Sequence, residues 1–379
     1  MDLRIELRGS LADIDPEAWD ALTGDHDPFV EHAFLRGLET SQSVGEEAGW
    51  VPVHVTVWDG ERLIGALPLY AKDNSWGEFI FDFAWARAAG QAGVHYYPKL
   101  VSMAPFTPAT GRRFLLAEGV DEAAVRAGLI AGARAAADEI GASSIHLLFL
   151  TDAERQQAVD LGLRPRLSVQ FHWENEGYAS FDDYLRRFRS RKRKQVAKER
   201  RSVADAGLDI RLLEGPELGD VEWRAVVRFY RANCHAHGSY PYLTPRFFEE
   251  LRETHAHRVL VAMAFVDDVP QAASINFTKG DHLYGRYWGC SDHFEHLHFE
   301  LCYYRLIEHA IERGITHFEA GAQGFHKLQR GLLPTEIHSA HWIRDPSLAR
   351  AVNAFLPSEA MSVKAEIAHL TERSPFHRS

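Results

Sequence analysis

Three β-rich segments follow one another in the second half of the chain, and their order restricts the folds open to it. The segments are joined by short turns rich in Asp, Lys and Gly, and they cover 258–265, 271–278 and 282–290. Short connections of this kind join antiparallel neighbours, so the segments predict a β-meander. A helix is predicted at about 298–313, ended by Gly314, followed by a strand at 316–320 and a Gly-rich turn.

Helices and strands also alternate in the first half. Residues 50–71 contain two β-rich runs joined by Asp59-Gly60, which is typical of a hairpin because glycine accepts a positive φ at little cost. Helix, strand, helix and strand are then predicted at 121–140, 144–150, 152–161 and 166–173. Both halves therefore predict an α/β class with mixed, largely antiparallel sheets.

The length of the chain indicates two domains. A chain of 379 residues exceeds one ordinary hydrophobic core. We predict an N-terminal domain at 1–175 and a C-terminal domain at 176–379, and the latter begins with a basic helix at 181–206. Strands at 208–213 and 337–343 and helices at 222–236 and 245–254 complete the prediction.

Charge and cysteine content narrow the classes of partner and compartment. The formal net charge of −11 repels a polyanion everywhere except at the basic helix, so we expect no DNA partner. Cys234, Cys290 and Cys302 are the only cysteines and lack C-x-x-C spacing, which argues against a disulfide framework. The charged first residues and the lack of a long apolar run lead us to expect a cytoplasmic protein without membrane insertion. The oligomeric state stays open.

Seven phrases of the sequence carry a family resemblance. They are HYYPKL (95–100), PFTPATG (105–111), SRKRKQVAKERR (190–201), PYLT (241–244), YGRYWGC (284–290), HFELCYY (298–304) and EAGAQGFHKLQRG (319–331). They resemble a bacterial family usually labelled GNAT N-acetyltransferase or peptidoglycan biosynthesis/recognition protein, within the Fem-type (FemAB-like) tandem-GNAT superfamily. The resemblance implies two GNAT-like halves and an acyl or aminoacyl transferase that forms an amide on an amine acceptor, such as a peptidoglycan precursor or related peptide.

Three residues are candidates for proton transfer. Glu319 lies between apolar residues in a short strand, where burial would raise its pKa and suit it as a general base; a structural carboxylate is the alternative. The resemblance to GNAT proteins implies a crevice where two neighbouring strands splay apart, lined here by 288–300 and 319–327. His298 and Glu300 begin the helix beside this crevice, where an imidazole could accept a proton. Helix capping and favourable interaction with the helix dipole are the alternatives for this pair.

A second group of residues could bind substrate or donor. A Gly-rich turn with adjacent positive side chains suits phosphate or carboxylate, while the aromatic and basic residues of the first half and of the basic helix could line a cleft or contact anions. A structural turn, core packing and a solvated helix are the respective alternatives. The candidates are Trp288, Gly321, Gln323, Gly324, His326, Lys327, Arg330, Tyr97, Lys99, Arg191 and Lys192.

The resemblance implies acyl-CoA or aminoacyl-tRNA as donor, yet the stretch SDHFEHLHF (291–299) lacks the Gly-rich loop of ordinary CoA-binding GNATs. A non-catalytic module that binds a peptide or cell-wall precursor is therefore the alternative to an enzyme. Histidines recur at short intervals at His235, His237, His293, His296 and His298, but this spacing lacks the carboxylate and cysteine geometry of a metal site, so we expect no metal.

Overall fold

The computed structural model describes residues 3–236, 238–321 and 324–377. The strands are β1 Leu3–Arg8, β2 Val51–Pro52, β3 His54–Asp59, β4 Arg62–Leu67, β5 Tyr70–Lys72, β6 Lys99–Ser102, β7 Leu115–Leu116, β8 Ser144–Leu150, β9 Arg164–Glu174, β10 Asp209–Glu214, β11 Val259–Val266, β12 Val269–Lys279, β13 His282–Cys290, β14 His317–Glu319 and β15 Leu333–Ile343. The helices are α1 Pro16–Asp20, α2 His32–Thr40, α3 Phe83–Gln91, α4 Glu122–Ile140, α5 Asp152–Asp160, α6 Phe181–Arg186, α7 Ser190–Asp205, α8 Asp220–Ala236, α9 Pro245–Thr254, α10 Leu297–Phe299, α11 Arg305–Arg313 and α12 Pro346–Glu372. Among the described residues, none of the helices has the length and apolar character required to cross a bilayer.

The chain divides into two compact units. Unit 1 contains Met1–Val169 and Glu336–Glu366, and unit 2 contains Gln170–Thr335 and Ile367–Ser379. The break between Val169 and Gln170 lies close to the predicted boundary after residue 175, but the predicted C-terminal domain 176–379 is not continuous. Residues 336–366 belong to unit 1 because β15 pairs antiparallel with β8, with Ile343 opposite Ser144.

Unit 1 is built on two groups of strands. One sheet has the order β1-β3-β4-β7, and the other group has the order β15-β8-β6-β5-β2. The predicted hairpin is present: Asp59 pairs with Arg62 across a turn in which Gly60 has a φ of 60°. Helix α4 lies against β1, β3 and β4, and a Cβ at Gly132 would come within 2.4 Å of the Val55 side chain, so glycine allows the close approach.

Unit 2 contains the predicted meander. Its strands have the order β10-β11-β12-β13-β14-β9, and the first four are antiparallel. Strand β14 pairs parallel with β13 only from His282 to Tyr284, whereas β13 continues along β12 to Cys290. The two strands therefore stop pairing after the third of the nine residues of β13.

Two predicted helices are interrupted in the structure. The predicted helix 298–313 consists of α10, a π-helical turn at Glu300–Tyr304 and α11. The Ser274 hydroxyl donates to the Leu301 carbonyl at 2.8 Å, which satisfies a backbone group in the widened turn. The helix ends as predicted, at Gly314 with a φ of 68°.

The basic segment predicted as one helix at 181–206 forms two helices, α6 and α7. Between them, the Arg189 amide donates to the Pro375 carbonyl and the Arg187 carbonyl accepts from the His377 amide. Phe188 is fully buried. These contacts with the C-terminal segment take up backbone groups that a continuous helix would use internally.

A substitution at Gly289 can test how closely α8 packs against β13. A Cβ at Gly289 would lie 2.1 Å from the Phe229 carbonyl oxygen, whereas a Cβ at Gly9 would have no atom within 4 Å. We expect Gly289→Ala to lower the free energy of unfolding by about 1–3 kcal/mol because α8 must move, and Gly9→Ala to leave it unchanged. Urea unfolding followed by circular dichroism measures both; equal stability of the two variants would contradict the packing.

Candidate functional site

The end of β13 and the π-helical turn place His298 among aromatic rings. Its ring centroid lies 5.1 Å from that of Trp288 and 5.5 Å from those of Tyr303 and His326. His298 and Trp288 are both half-buried. The two predicted site residues are thus brought together where β13 and β14 have stopped pairing.

The environment keeps the His298 imidazole neutral. Burial, together with the nearby charges of Lys327 and Arg330, lowers the pKa of His298 to about 4. Within 3–236, 238–321 and 324–377, the His298 imidazole makes no hydrogen bond to another residue. A neutral imidazole with this environment can accept a proton from a bound molecule.

The Gly-rich turn brings a lysine and a histidine to the same place. Gly321 and Gly324 have φ values of 78° and 109°, in the region that favours glycine. Lys327 Nζ donates to the Gly321 carbonyl at 2.6 Å, and His326 Nε2 lies 2.9 Å from the Tyr303 hydroxyl. Burial lowers the pKa of Lys327 to about 7, so this ammonium group loses its proton readily. The predicted ligand Gln323 lies outside the described residues.

Arg330 is buried and held by internal partners. Its Nη2 donates to both carboxylate oxygens of Glu199 at 3.1 Å, and its Nη1 donates to the His326 carbonyl at 2.9 Å. The guanidinium lies 3.4 Å from the centroid of the Phe299 ring. The Tyr304 hydroxyl also donates to Glu199. Arg330 therefore braces α7 against the Gly-rich turn.

Glu300 is likewise part of an internal ion pair. Arg200 Nη2 donates to Glu300 at 3.0 Å and to Glu308 at 2.9 Å. Burial raises the pKa of Glu300, and the Arg200 charge opposes the rise. This geometry fixes α7 to the π-helical turn and directs Arg200, a member of the predicted basic helix, inward.

Glu319 lies in a different cluster, on β14. Its Oε1 is 3.4 Å from His317 Nε2 and its Oε2 is 3.8 Å from His172 Nε2, and its side chain is only 3% exposed. Burial lowers the pKa of His172 to about 4. Burial also acts to lower the pKa of His317, but hydrogen bonds to Glu174 and Glu319 raise it to about 10. Sequence reasoning missed both histidines. His317 lies two residues before Glu319 on β14, a spacing that is visible in the sequence, whereas only strand pairing brings His172 to Glu319.

Tyr97 and Lys99 belong to unit 1. Lys99 Nζ is fully buried and donates to Glu78 at 2.8 Å, to Asp82 at 2.5 Å and to Ser75 at 2.9 Å. The Tyr97 hydroxyl lies 2.8 Å from the Ser75 hydroxyl. The two carboxylates already neutralise the charge of Lys99, so its hydrogen bonds belong to a network inside the protein.

The outer face of α7 carries the predicted anion-binding residues. Arg191, Arg193, Lys194 and Lys198 are exposed, and Lys192 is half-buried. Burial, with the charges of Arg191 and Arg330, lowers the pKa of Lys192, which indicates that the cationic face extends toward the Arg330 region.

A second cationic face, on α8, escaped the sequence reasoning. Arg224, Arg228, Arg231 and His235 line a surface groove of about 430 Å³. Their spacing of three and four residues places them on one face of the helix, a periodicity that is visible in the sequence.

Comparison with known proteins identifies the family. The family model of FemAB-like proteins, described as peptidoglycan biosynthesis/recognition, matches residues 10–378. The chain belongs to the FemAB-like family. No curated protein sequence matches the chain.

Solved structures share the fold of this FemAB-like protein. FemX is 11% identical, with a TM-score of 0.56 over 93% of this chain and 100% of FemX. L-PGS from Bacillus licheniformis is 10% identical, with a TM-score of 0.54 over 92% of this chain and 97% of that protein. The predicted resemblance to FemAB-like proteins is confirmed, and so is the α/β class with mixed, largely antiparallel sheets.

Substitutions at Glu199 and Arg330 can test whether their ion pair stabilises the packing of α7 against the Gly-rich turn. Both side chains are 6% exposed, so Arg330→Met, which leaves Glu199 buried without its cation, should cost about 3–5 kcal/mol of unfolding free energy. The double variant Glu199→Leu/Arg330→Met should cost less than the sum of the two single changes. Denaturant unfolding of the four proteins measures the coupling.

A matched control is Arg186→Met, since Arg186 pairs with Asp183 at 2.9 Å on the exposed surface of α6. This change should leave the unfolding free energy unchanged within error. Strict additivity of the Glu199 and Arg330 changes would contradict an energetic coupling between them.

Proposed function

We propose that this FemAB-like protein transfers an activated acyl or aminoacyl group to an amine and forms an amide. The observation that carries the proposal is the neutral His298, at the site where β13 and β14 stop pairing, with Lys327 close enough to act on its pKa. Family membership supports a role in peptidoglycan biosynthesis or recognition. A peptide amine, such as that of a peptidoglycan precursor, is the acceptor we propose.

The chemistry needs one proton acceptor and one positive charge. The uncharged amine attacks the acyl carbon, and His298 takes the proton that the nitrogen loses as the C–N bond forms. The ammonium of Lys327 stabilises the negative charge that develops on the acyl oxygen. The C–O or C–S bond of the donor then breaks, and the protonated imidazole returns its proton to the leaving group.

His298 suits this role better than the other predicted bases. Glu319 lies between His172 and His317 in a separate cluster, and Glu300 is engaged by Arg200. We therefore assign positioning roles to Glu300 and Arg330.

The donor is proposed on charge. Aminoacyl-tRNA would contact the exposed cations of α7 through its phosphates, without reading bases. Acyl-CoA is the small-donor alternative, since a CoA phosphate could be bound by the same side chains.

A non-catalytic peptide-binding module is the second candidate function. It is favoured because Arg330 and Glu300 are each already engaged in an internal ion pair. Thermal-shift measurements with acetyl-CoA, charged tRNA and a muropeptide, followed by mass spectrometry of mixtures, separate the candidates. Stabilisation by the muropeptide alone, with no new amide, would support the binding module.

The pH profile of the transfer reaction should follow two groups. With kcat/KM measured by product mass, activity should rise as His298 loses its proton at a pKa of about 4 and fall as Lys327 loses its charge at a pKa of about 7. His298→Asn should reduce turnover by about 10²–10⁴-fold, and Lys327→Arg should remove the alkaline limb because arginine keeps its charge. The exposed His293→Asn is the control, and wild-type turnover in folded His298→Asn would refute the assignment.

The salt dependence of tRNA binding should show whether the donor contacts α7. Replacing Arg191, Lys192, Arg193 and Lys194 together with Gln should weaken tRNA binding and flatten its logarithmic salt dependence by about 0.7–0.9 per lost phosphate contact. Arg224→Gln/Arg231→Gln on α8 is the matched control and should leave the slope unchanged. Fluorescence anisotropy at several salt concentrations measures both. Salt-independent transfer activity would instead favour a small donor.

A further inference from the structure

We propose that His172, His317 and Glu319 form a binding site for one divalent transition-metal ion of the zinc class. The three residues come from two paired strands of unit 2. Strand β14 is antiparallel to β9, with His317 opposite Glu174 and Glu319 opposite His172. Alternate residues of a strand share one face, so these four side chains project from the same side of the ladder.

The spacing of the donor atoms fits a single ion. Glu319 Oε1 is 3.4 Å from His317 Nε2, and Glu319 Oε2 is 3.8 Å from His172 Nε2. One donor atom from each of the three residues lies within 4.8 Å of the other two. Zinc bonds of about 2.0–2.1 Å in a tetrahedron place neighbouring ligand atoms about 3.3 Å apart, so the donor atoms need to approach one another by at most about 1.5 Å to complete the ligand set.

Glu174 orients one of the ligands. Its carboxylate lies 2.5 Å from His317 Nδ1, which directs the other ring nitrogen, Nε2, to Glu319. Carboxylate–histidine pairs of this kind fix the tautomer of metal-ligating histidines. Because His317 faces a carboxylate at both nitrogens, a positive charge is required beside Glu319, and either a proton or a metal ion can supply it.

The composition of the cluster selects the class of ion. Two imidazoles with one carboxylate suit zinc, cobalt, nickel or ferrous iron, whereas magnesium and calcium prefer oxygen ligands. The charges also match, since the carboxylates of Glu174 and Glu319 together balance a dication. His172 and Glu319 are 3% exposed and His317 is 17% exposed, so solvent reaches the ion from the side of His317. Three protein ligands leave a fourth position for water or another small ligand.

Cobalt titration of the full-length protein tests the site. After dialysis against a chelator, the protein should bind one equivalent of Co²⁺ and develop the visible absorption of a tetrahedral complex, and Zn²⁺ should displace it while Mg²⁺ should not. Glu319→Gln and His172→Gln should each lower the affinity by at least about 10-fold, and Glu174→Gln should lower it by about 10–100-fold through the orientation of His317.

His282→Gln is the matched control, since the His282 ring lies 4.9 Å from that of His317 but supplies no ligand in the proposed set. It should bind Co²⁺ like the wild-type protein. Failure of the wild-type protein to bind Co²⁺, or unchanged binding in folded Glu319→Gln and Glu174→Gln, would overturn the proposal. His298→Asn should keep full Co²⁺ affinity, so the metal site and the transfer reaction can fail independently.

Discussion

The short pairing between β13 and β14 determines where the sheet of unit 2 opens beside Trp288 and His298. The parallel ladder ends at Tyr284 opposite Glu319, and β13 then continues beside β12 alone for the rest of its length. Backbone groups and side chains beyond this point are released from the sheet on one side. Trp288 and His298 lie in that region, and the Gly-rich turn that follows β14 supplies His326 and Lys327. The opening, the helix start and the turn are consequences of one interrupted ladder.

Buried ion pairs fix the arrangement of the elements around the end of the β13–β14 ladder. Glu199 on α7 receives Arg330, and Arg200 on the same helix reaches Glu300. A buried charge without a partner is costly, so each pair constrains α7, the π-helical turn and the Gly-rich turn to one arrangement. Charged residues near a site can therefore serve geometry rather than ligand binding. In the described parts of the chain the His298 imidazole has no such ion-pair partner, and for this reason we propose His298 for proton transfer and the paired residues for positioning.

Regular elements were predictable from the sequence where local signals were strong. The meander follows from alternating apolar residues and turn residues, and helix α9 and strand β8 have the predicted bounds. The break between α6 and α7 was not predictable, because the groups that end the helix come from residues 375 and 377. The return of 336–366 to unit 1 also depends on pairing between distant strands. For the candidate site, position in the sequence indicated Glu319, His298 and Lys327, but the partners of Arg330, Glu300 and Glu319 depend on tertiary structure.

The segment from Glu319 to Arg330 links two clusters that local sequence would treat as one motif. Glu319 faces His172 and His317, whereas His326 and Arg330 face Tyr303 and Glu199. Lys327 acts on both sides, since its charge lowers the pKa of His298 and that of His172. Its own pKa of about 7 means that its charge changes near neutral pH. His298 and His172, each with a pKa of about 4, stay neutral at that pH, so among these three groups the lysine is the one whose charge changes near neutrality.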